Sequence, residues 1–128
     1  MAGLDGFIAG LPKVELHLHI EGTFEPELML SIAARNGLPA PFPTVAAARA
    51  AYDFRDLTMA YLERARADNV RHAEIFFDPQ AHTGRGVALA TVVEGICGAL
   101  DEGEMRLGIT SRLIPNFLRD LDEESAMA

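Results

Sequence analysis

The sequence predicts an α/β fold, about the first three βα units of a (β/α)8 (TIM) barrel, and three observations lead there. Lys13 to Ile20 alternates with a period of two, the mark of a strand. Leu89, Val92, Val93, Ile96 and Leu100 recur at helical spacing. The elements run strand, helix, helix, strand, helix, strand, the order expected of parallel strands joined by helical crossovers. A complete barrel takes about 250 residues and at least roughly 200. The 128 residues here make up about three of its eight units, and residues 1–128 are read as one domain, the N-terminal portion of such a barrel.

In the first strand Val14, Leu16, Leu18 and Ile20 take one face and Lys13, Glu15, His17 and His19 the other, and Gly22 ends it. A helix follows, with Pro26 in its first turn, apolar character from Leu28, Leu30, Ile32 and Ala33, and a stop near Asn36-Gly37. Three prolines between Leu38 and Pro43 enforce an irregular connection, and the alanine-rich Val45–Tyr52 stretch suits a short helix. Asp56 reads as the N-cap of a helix through Leu57, Tyr61, Ala65 and Asn69. A second strand, Val70 to Phe77, ends at Asp78-Pro79, and a loop from Gln80 to Gly86 leads to the third helix, which Gly108 closes. The third strand is expected over Ile109 to Phe117, with Pro115 removing one ladder hydrogen bond. From Asp120 the tail is acidic and begins another helix at most.

Composition narrows the partners. Eleven Lys and Arg against nineteen Asp and Glu give a net charge of −8. Such a surface repels phosphate backbones and anionic membranes, so neither nucleic acid nor lipid is expected. The single Cys97 excludes an intrachain disulfide framework and fits a reducing compartment. Its place on the core helix beside Ile96 and Leu100 suits a small buried hydrophobe. The opening Met-Ala-Gly-Leu-Asp-Gly-Phe has neither the basic flank nor the apolar run of a signal peptide, and no apolar stretch approaches the roughly 18 to 20 residues of a membrane span. The expected location is the cytoplasm.

The chemistry concentrates at His17-Leu18-His19. Residues two apart on a regular strand share a face about 6.5 to 7 Å apart. Two imidazoles so placed can lean onto one cation of the zinc class, and the C-terminal end of a barrel strand is where barrel sites lie. Alone, the motif serves equally as two satisfied histidines at a strand end. Asp78, Gln80 and His82 follow the end of the second strand, where Asp78-Pro79 also suits turn chemistry. His72 and Glu74 sit nearer the other end of that strand and read as structural.

The run Leu11-Pro-Lys-Val-Glu-Leu-His-Leu-His-Ile-Glu-Gly-Thr23 resembles the opening strand of the adenosine/adenine deaminase family, metal-dependent purine deaminases built on a (β/α)8 barrel. His72-Ala-Glu-Ile-Phe-Phe-Asp-Pro-Gln-Ala-His82 is similar to the adenine deaminase branch. The resemblance implies that His17 and His19 are the first two metal ligands, that the cofactor is one Zn²⁺, and that the substrate is a small purine. It sets Glu21 where adenosine deaminases carry an aspartate near the sugar. The longer glutamate takes up space a ribose would need, which implies a free base, with Glu21 and Asp78 lining its pocket. It also implies that the remaining metal ligands and the proton-carrying residues lie beyond Ala128, so no catalytic residue is assigned here and turnover by these 128 residues alone is not expected. Between Tyr52 and Leu57 family members carry helical sequence that this chain lacks. The rival reading is a non-catalytic α/β remnant or fragment that binds metal or self-associates through open sheet edges.

Overall fold

A computed structural model of the chain describes residues 3–23, 26–37, 54–84 and 86–124. The expected Leu38–Pro43 connection and Val45–Tyr52 helix lie outside these residues. The described elements are α1 (Leu4–Gly10), β1 (Lys13–His19), a 3-10 turn (Ile20–Thr23), α2 (Pro26–Arg35), α3 (Phe54–Ala67), β2 (Val70–Phe77), α4 (Pro79–Thr83), α5 (Leu89–Leu107) and β3 (Thr110–Pro115). The strands form one parallel sheet in the order β1-β2-β3, the topology of successive βα units and the partial barrel that the sequence predicts. No helix among the described residues is long and apolar enough to cross a membrane.

The first strand departs from regular alternation at the residue of most interest. Leu16 pairs with Glu74 and Leu18 with the very next residue, Ile75, so His17 is an extra residue in the ladder. Its φ of 70° lies in the left-handed region, uncommon for a side chain with a Cβ and a mark of a bulge. The bulge reverses which face each later residue takes. Val14 and Leu16 stand 63% and 60% exposed, whereas Leu18 and Ile20 are buried in the core. The single apolar face expected of Val14, Leu16, Leu18 and Ile20 is therefore split in two. Glu15 turns toward the helices, where Tyr61 Oη donates to Glu15 Oε2 at 2.7 Å. It does not share a face with His17 and His19, whose rings lie against Phe76 on the opposite side.

The core fills the space between the sheet and the two crossover helices α3 and α5, which run side by side in the same direction. Ala73, Ile75 and Phe77 from β2 and Ile109 before β3 meet Leu57, Leu62, Val92, Ile96 and Ala99 there, all buried. Asp56 is not an N-cap: α3 starts at Phe54, and Asp56 in its first turn pairs with Arg35 at the end of α2 at 2.5 Å. The helix ends at Ala67 and Asn69 takes a φ of 64°, so the turn into β2 begins two residues before the expected end. The segment read as a loop from Gln80 holds α4, with Pro79 in its first turn. α5 ends as expected, with Gly108 in the left-handed conformation. β3 is shorter than expected but keeps Pro115 paired opposite Phe77, and the Asn116 amide donates to the Phe77 carbonyl at 2.9 Å just beyond. A proline at the last rung of an edge strand loses little. α1 escapes sequence reading because none of its residues is buried and so no apolar stripe marks it. Lys13 Nζ ties this end together, donating to the carbonyls of Ile8 at 2.9 Å, Leu11 at 3.1 Å and Asp68 at 2.9 Å.

α5 approaches α3 closely because two of its residues lack a Cβ. A Cβ on Gly95 would stand 2.9 Å from Phe54 Cβ, and one on Gly103 2.5 Å from Leu62 Cδ1. Gly98, on the same helix, has nothing within 4 Å. Phe54 Cβ is anchored to its backbone and cannot swing aside. Gly95→Ala is therefore expected to destabilise by about 1–3 kcal/mol, and Gly98→Ala to stabilise by up to about 1 kcal/mol through helix propensity. Urea unfolding of both variants checks the contrast, and equal shifts would contradict this helix packing.

Candidate functional site

Parallel strands leave their C-terminal ends on one side, and the side chains of interest gather there. His17 is brought to that end by the bulge and His19 by the last residue of β1. Their ring centroids are 5.5 Å apart. Phe76, the register partner of His19, underlies both, its ring 4.4 Å from that of His17 and 5.7 Å from that of His19. A strained backbone held by surrounding structure is a recurrent feature of functional positions.

The 3-10 turn then carries Glu21 back over the strand ends. Thr23 Oγ1 closes the turn onto the Ile20 carbonyl at 2.9 Å, and an Arg64 N–H donates to the Thr23 carbonyl at 2.6 Å, fixing the turn to α3. Glu21 Oε1 accepts two hydrogen bonds, from the Asp78 amide at 3.0 Å and from His82 Nε2 at 3.0 Å. An ionised carboxylate only accepts, so Nε2 is the protonated nitrogen of His82. His82 is 1% exposed and meets the Phe54 ring edge-on at 4.9 Å. Burial pushes the Glu21 carboxyl up, but the bonds from His82 and the Asp78 amide outweigh it and hold the group below its ordinary value. Glu21 Oε2 is buried and has no hydrogen-bond partner among the described residues.

Asp78 occupies the N-cap position of α4 but makes no side-chain cap bond. Its carboxylate is used across the strand ends instead: Oδ2 lies 3.4 Å from His19 Nδ1 and Oδ1 accepts from Asn116 Nδ2 at 2.7 Å. Gln80 Oε1 accepts from the Leu118 amide at 2.7 Å. The ends of all three strands are thus linked through polar side chains. One ligand atom each from His19, Glu21 and Asp78 lies within 4.8 Å of the others, a grouping able to hold a cation. With Nδ1 of His19 turned to Asp78, Nε2 is the nitrogen left for a metal, the orientation that a carboxylate behind a metal-bound histidine imposes.

The four residues that the resemblance assigns, His17, His19, Glu21 and Asp78, lie together at this end. His82, readable from sequence only as a loop residue near the site, is the buried partner of Glu21. Phe76 and Asn116 were not singled out. A polar residue directly after an apolar strand, as Asn116 is, was the available signal for the second. His72 and Glu74 lie lower on β2, where His72 Nδ1 contacts Thr110 Oγ1 at 2.7 Å, in keeping with a structural role.

Known proteins resemble this chain in sequence and in fold. The family model described as adenosine deaminase matches residues 43–128. A curated adenine deaminase of Chlorobium phaeobacteroides is 52% identical over 147 residues, covering 97% of this chain and 44% of that protein. That alignment is longer than the 128-residue chain, so the relative carries residues within the matched region that have no counterpart here. Among solved structures, an adenine deaminase from Arthrobacter aurescens superposes with a TM-score of 0.82 at 46% identity, over 90% of this chain and 42% of that one. An amidohydrolase from Burkholderia ambifaria with bound Zn gives 0.81 at 31% identity, over 98% and 41%. The chain spans under half the length of these relatives.

If the Glu21–His82 bond holds the turn over the strand ends, the two residues must be energetically coupled. Glu21→Ala and His82→Ala should each cost about 1–3 kcal/mol, since each leaves a buried polar group unpaired. The double variant should cost less than their sum, with a coupling of roughly 0.5–3 kcal/mol. Strict additivity in denaturant unfolding would show that the bond contributes nothing.

Proposed function

This chain belongs to the adenosine deaminase family, and we propose that it forms the N-terminal portion of a metal-dependent deaminase of free adenine, which converts adenine and water to hypoxanthine and ammonia. The observation that carries this reading is the meeting of His17 and His19 with Glu21 and Asp78 at the C-terminal end of a parallel sheet.

The donors fit a divalent cation of the zinc class. Imidazole nitrogens and carboxylate oxygens are its usual ligands, and the two rings are close enough to converge. His17 and His19 would hold the ion. The chemistry it supplies is water acidic enough to act as a nucleophile near neutral pH. The chain's own residues do the rest of what falls to this end of the barrel. Asp78 fixes the ring of His19 through Nδ1 and is itself held by Asn116. Phe76 gives both imidazoles an apolar backing. Glu21, clamped by His82 and the Asp78 amide, borders the space for the base and takes up room that a ribose would need. The half-buried Cys97, its thiol pushed up by burial and then by Asp101, is not an activated nucleophile, and the cytoplasm suits a chain with this one free thiol.

Calorimetric titration with Zn²⁺ tests the metal assignment. The chain is expected to bind the ion, His17→Ala/His19→Ala to lose that binding, and Asp78→Asn to weaken it by about tenfold to a hundredfold as an orienting carboxylate is lost. Equal affinity of the double variant and the parent chain would overturn the assignment.

One observation favours a second property. Val14 and Leu16 are exposed on the sheet face opposite the helices, and apolar side chains on an uncovered sheet promote association. Self-association through this face and the sheet edges should therefore appear in sedimentation velocity as a concentration-dependent rise in mass, and Val14→Lys/Leu16→Lys should suppress it. A monomer at all concentrations would count against it.

A further inference from the structure

Asp78 has two positions open to its carboxylate, and only one of them serves the site. It stands at the N-cap of α4 with extended backbone (φ −104°, ψ 90°), where an aspartate side chain ordinarily accepts from an amide of the first helical turn. It makes no such bond. The carboxylate turns instead to the strand ends, with Oδ1 accepting from Asn116 Nδ2 at 2.7 Å and Oδ2 lying 3.4 Å from His19 Nδ1. The second separation exceeds the roughly 2.7 to 2.9 Å of a strong charge-assisted bond, so His19 by itself does not draw the group away from the cap. The bond from Asn116 does. Asn116 is pinned on both sides, by its own amide on the Phe77 carbonyl at 2.9 Å and by the Leu118 amide on Gln80 Oε1 at 2.7 Å. Its side chain therefore meets Asp78 with little backbone freedom left to lose.

The orientation of His19 depends on where that carboxylate goes. The His19 side chain is 40% exposed, so packing alone does not lock it, and its ring lies stacked on Phe76 at 5.7 Å. Stacking is blind to a half-turn of the imidazole, which exchanges Nδ1 with a ring carbon. An acceptor at one edge of the ring tells the two orientations apart, and Asp78 Oδ2 is that acceptor. We propose that Asn116 is a positioning residue of the metal centre: by engaging Oδ1 it holds Asp78 off the α4 cap and keeps Oδ2 at Nδ1 of His19, so that Nε2 is the nitrogen presented to the ion. The inference rests on the metal reading above and adds to it the residue, beyond the end of β3, that decides between the two uses of Asp78. Asn116 acts through Asp78 alone. An amide suits the task, since it donates to a carboxylate, which only accepts, without setting another charge beside a cation. Partners of this kind fix the ring and tautomer of a metal-bound histidine.

Asn116→Leu keeps the branching of the side chain and removes the donor. The first readout is the ¹⁵N spectrum of the histidine rings in the metal-free chain, at a pH well above the imidazole range. His19 is expected to carry its proton on Nδ1 in the unaltered chain and to become a mixture of tautomers in Asn116→Leu. An unaltered chain protonated at Nε2, or a tautomer indifferent to the substitution, overturns the proposal. The second readout is Zn²⁺ affinity by calorimetry. Asn116→Leu should weaken binding about tenfold to a hundredfold, as Asp78→Asn does, and should have no further effect in an Asp78→Asn background. Equal losses in both backgrounds would make Asn116 a general support of the fold and refute its action through Asp78. Failure of the unaltered chain to bind Zn²⁺ would remove the metal reading instead, and the tautomer measurement, made without metal, would still decide the role of Asn116. Should Asn116→Leu not fold, Asn116→Ala removes the same donor without adding bulk and is held to the same outcomes.

Discussion

The arrangement of this chain turns on one extra residue in one strand. A regular β1 would put His17 and His19 on a common face with Glu15 and send Leu16, Leu18 and Ile20 to the other. Inserting His17 as a bulge lets Leu18 and Ile20 enter the helix-side core while both imidazoles stay on the inner side of the sheet against Phe76. The left-handed φ at His17 costs on the order of 1–3 kcal/mol. It persists because the burial of Leu18 and Ile20 on one side and the ladder to β2 on the other leave the backbone no relaxed alternative. Strain at this position and the convergence of the two rings are the same structural event.

Around that bulge the polar groups form a connected set. Glu21 ties the turn after β1 to α4, Asp78 ties the end of β1 to the end of β3 through Asn116, and Gln80 ties α4 to the chain beyond β3. Each link spans two different strands, so no single loop positions the site by itself. Polar networks in a low-dielectric setting rigidify when every member is satisfied. Here one acceptor, Glu21 Oε2, is left without a donor among the described residues.

Much of this could be read from residue order. The period of two in β1, the end of β2 at Asp78-Pro79, the apolar stripe of α5 and the stop at Gly108 marked elements whose ends differ from the observed ones by a residue or two. The two histidines were candidates by their His-x-His spacing, whereas Glu21 and Asp78 entered as pocket residues only through the family resemblance. Other features had no local signature. The bulge is set by competition between two faces of β1, which a hydropathy pattern records only as unbroken alternation. The pairing of Glu21 with His82 joins residues distant in sequence. Asp56 carries the chemistry of a cap but serves Arg35, because α3 begins earlier than its first polar residue suggests. α1 buries nothing and so leaves no periodic trace.

The pairing of β1 with β2 also bears on how the molecule is assembled in time. Lys13 meets Val70, and the Lys13 ammonium bridges α1 and the end of α3, contacts that can form only after a long stretch of chain has been closed into a loop. The α3–β2–α5–β3 portion makes its contacts over shorter separations, and loop-closure entropy favours their earlier formation. The two imidazoles, the bulge and Glu21 all travel with β1, so a cation that bound both histidines would favour the docked position of that strand.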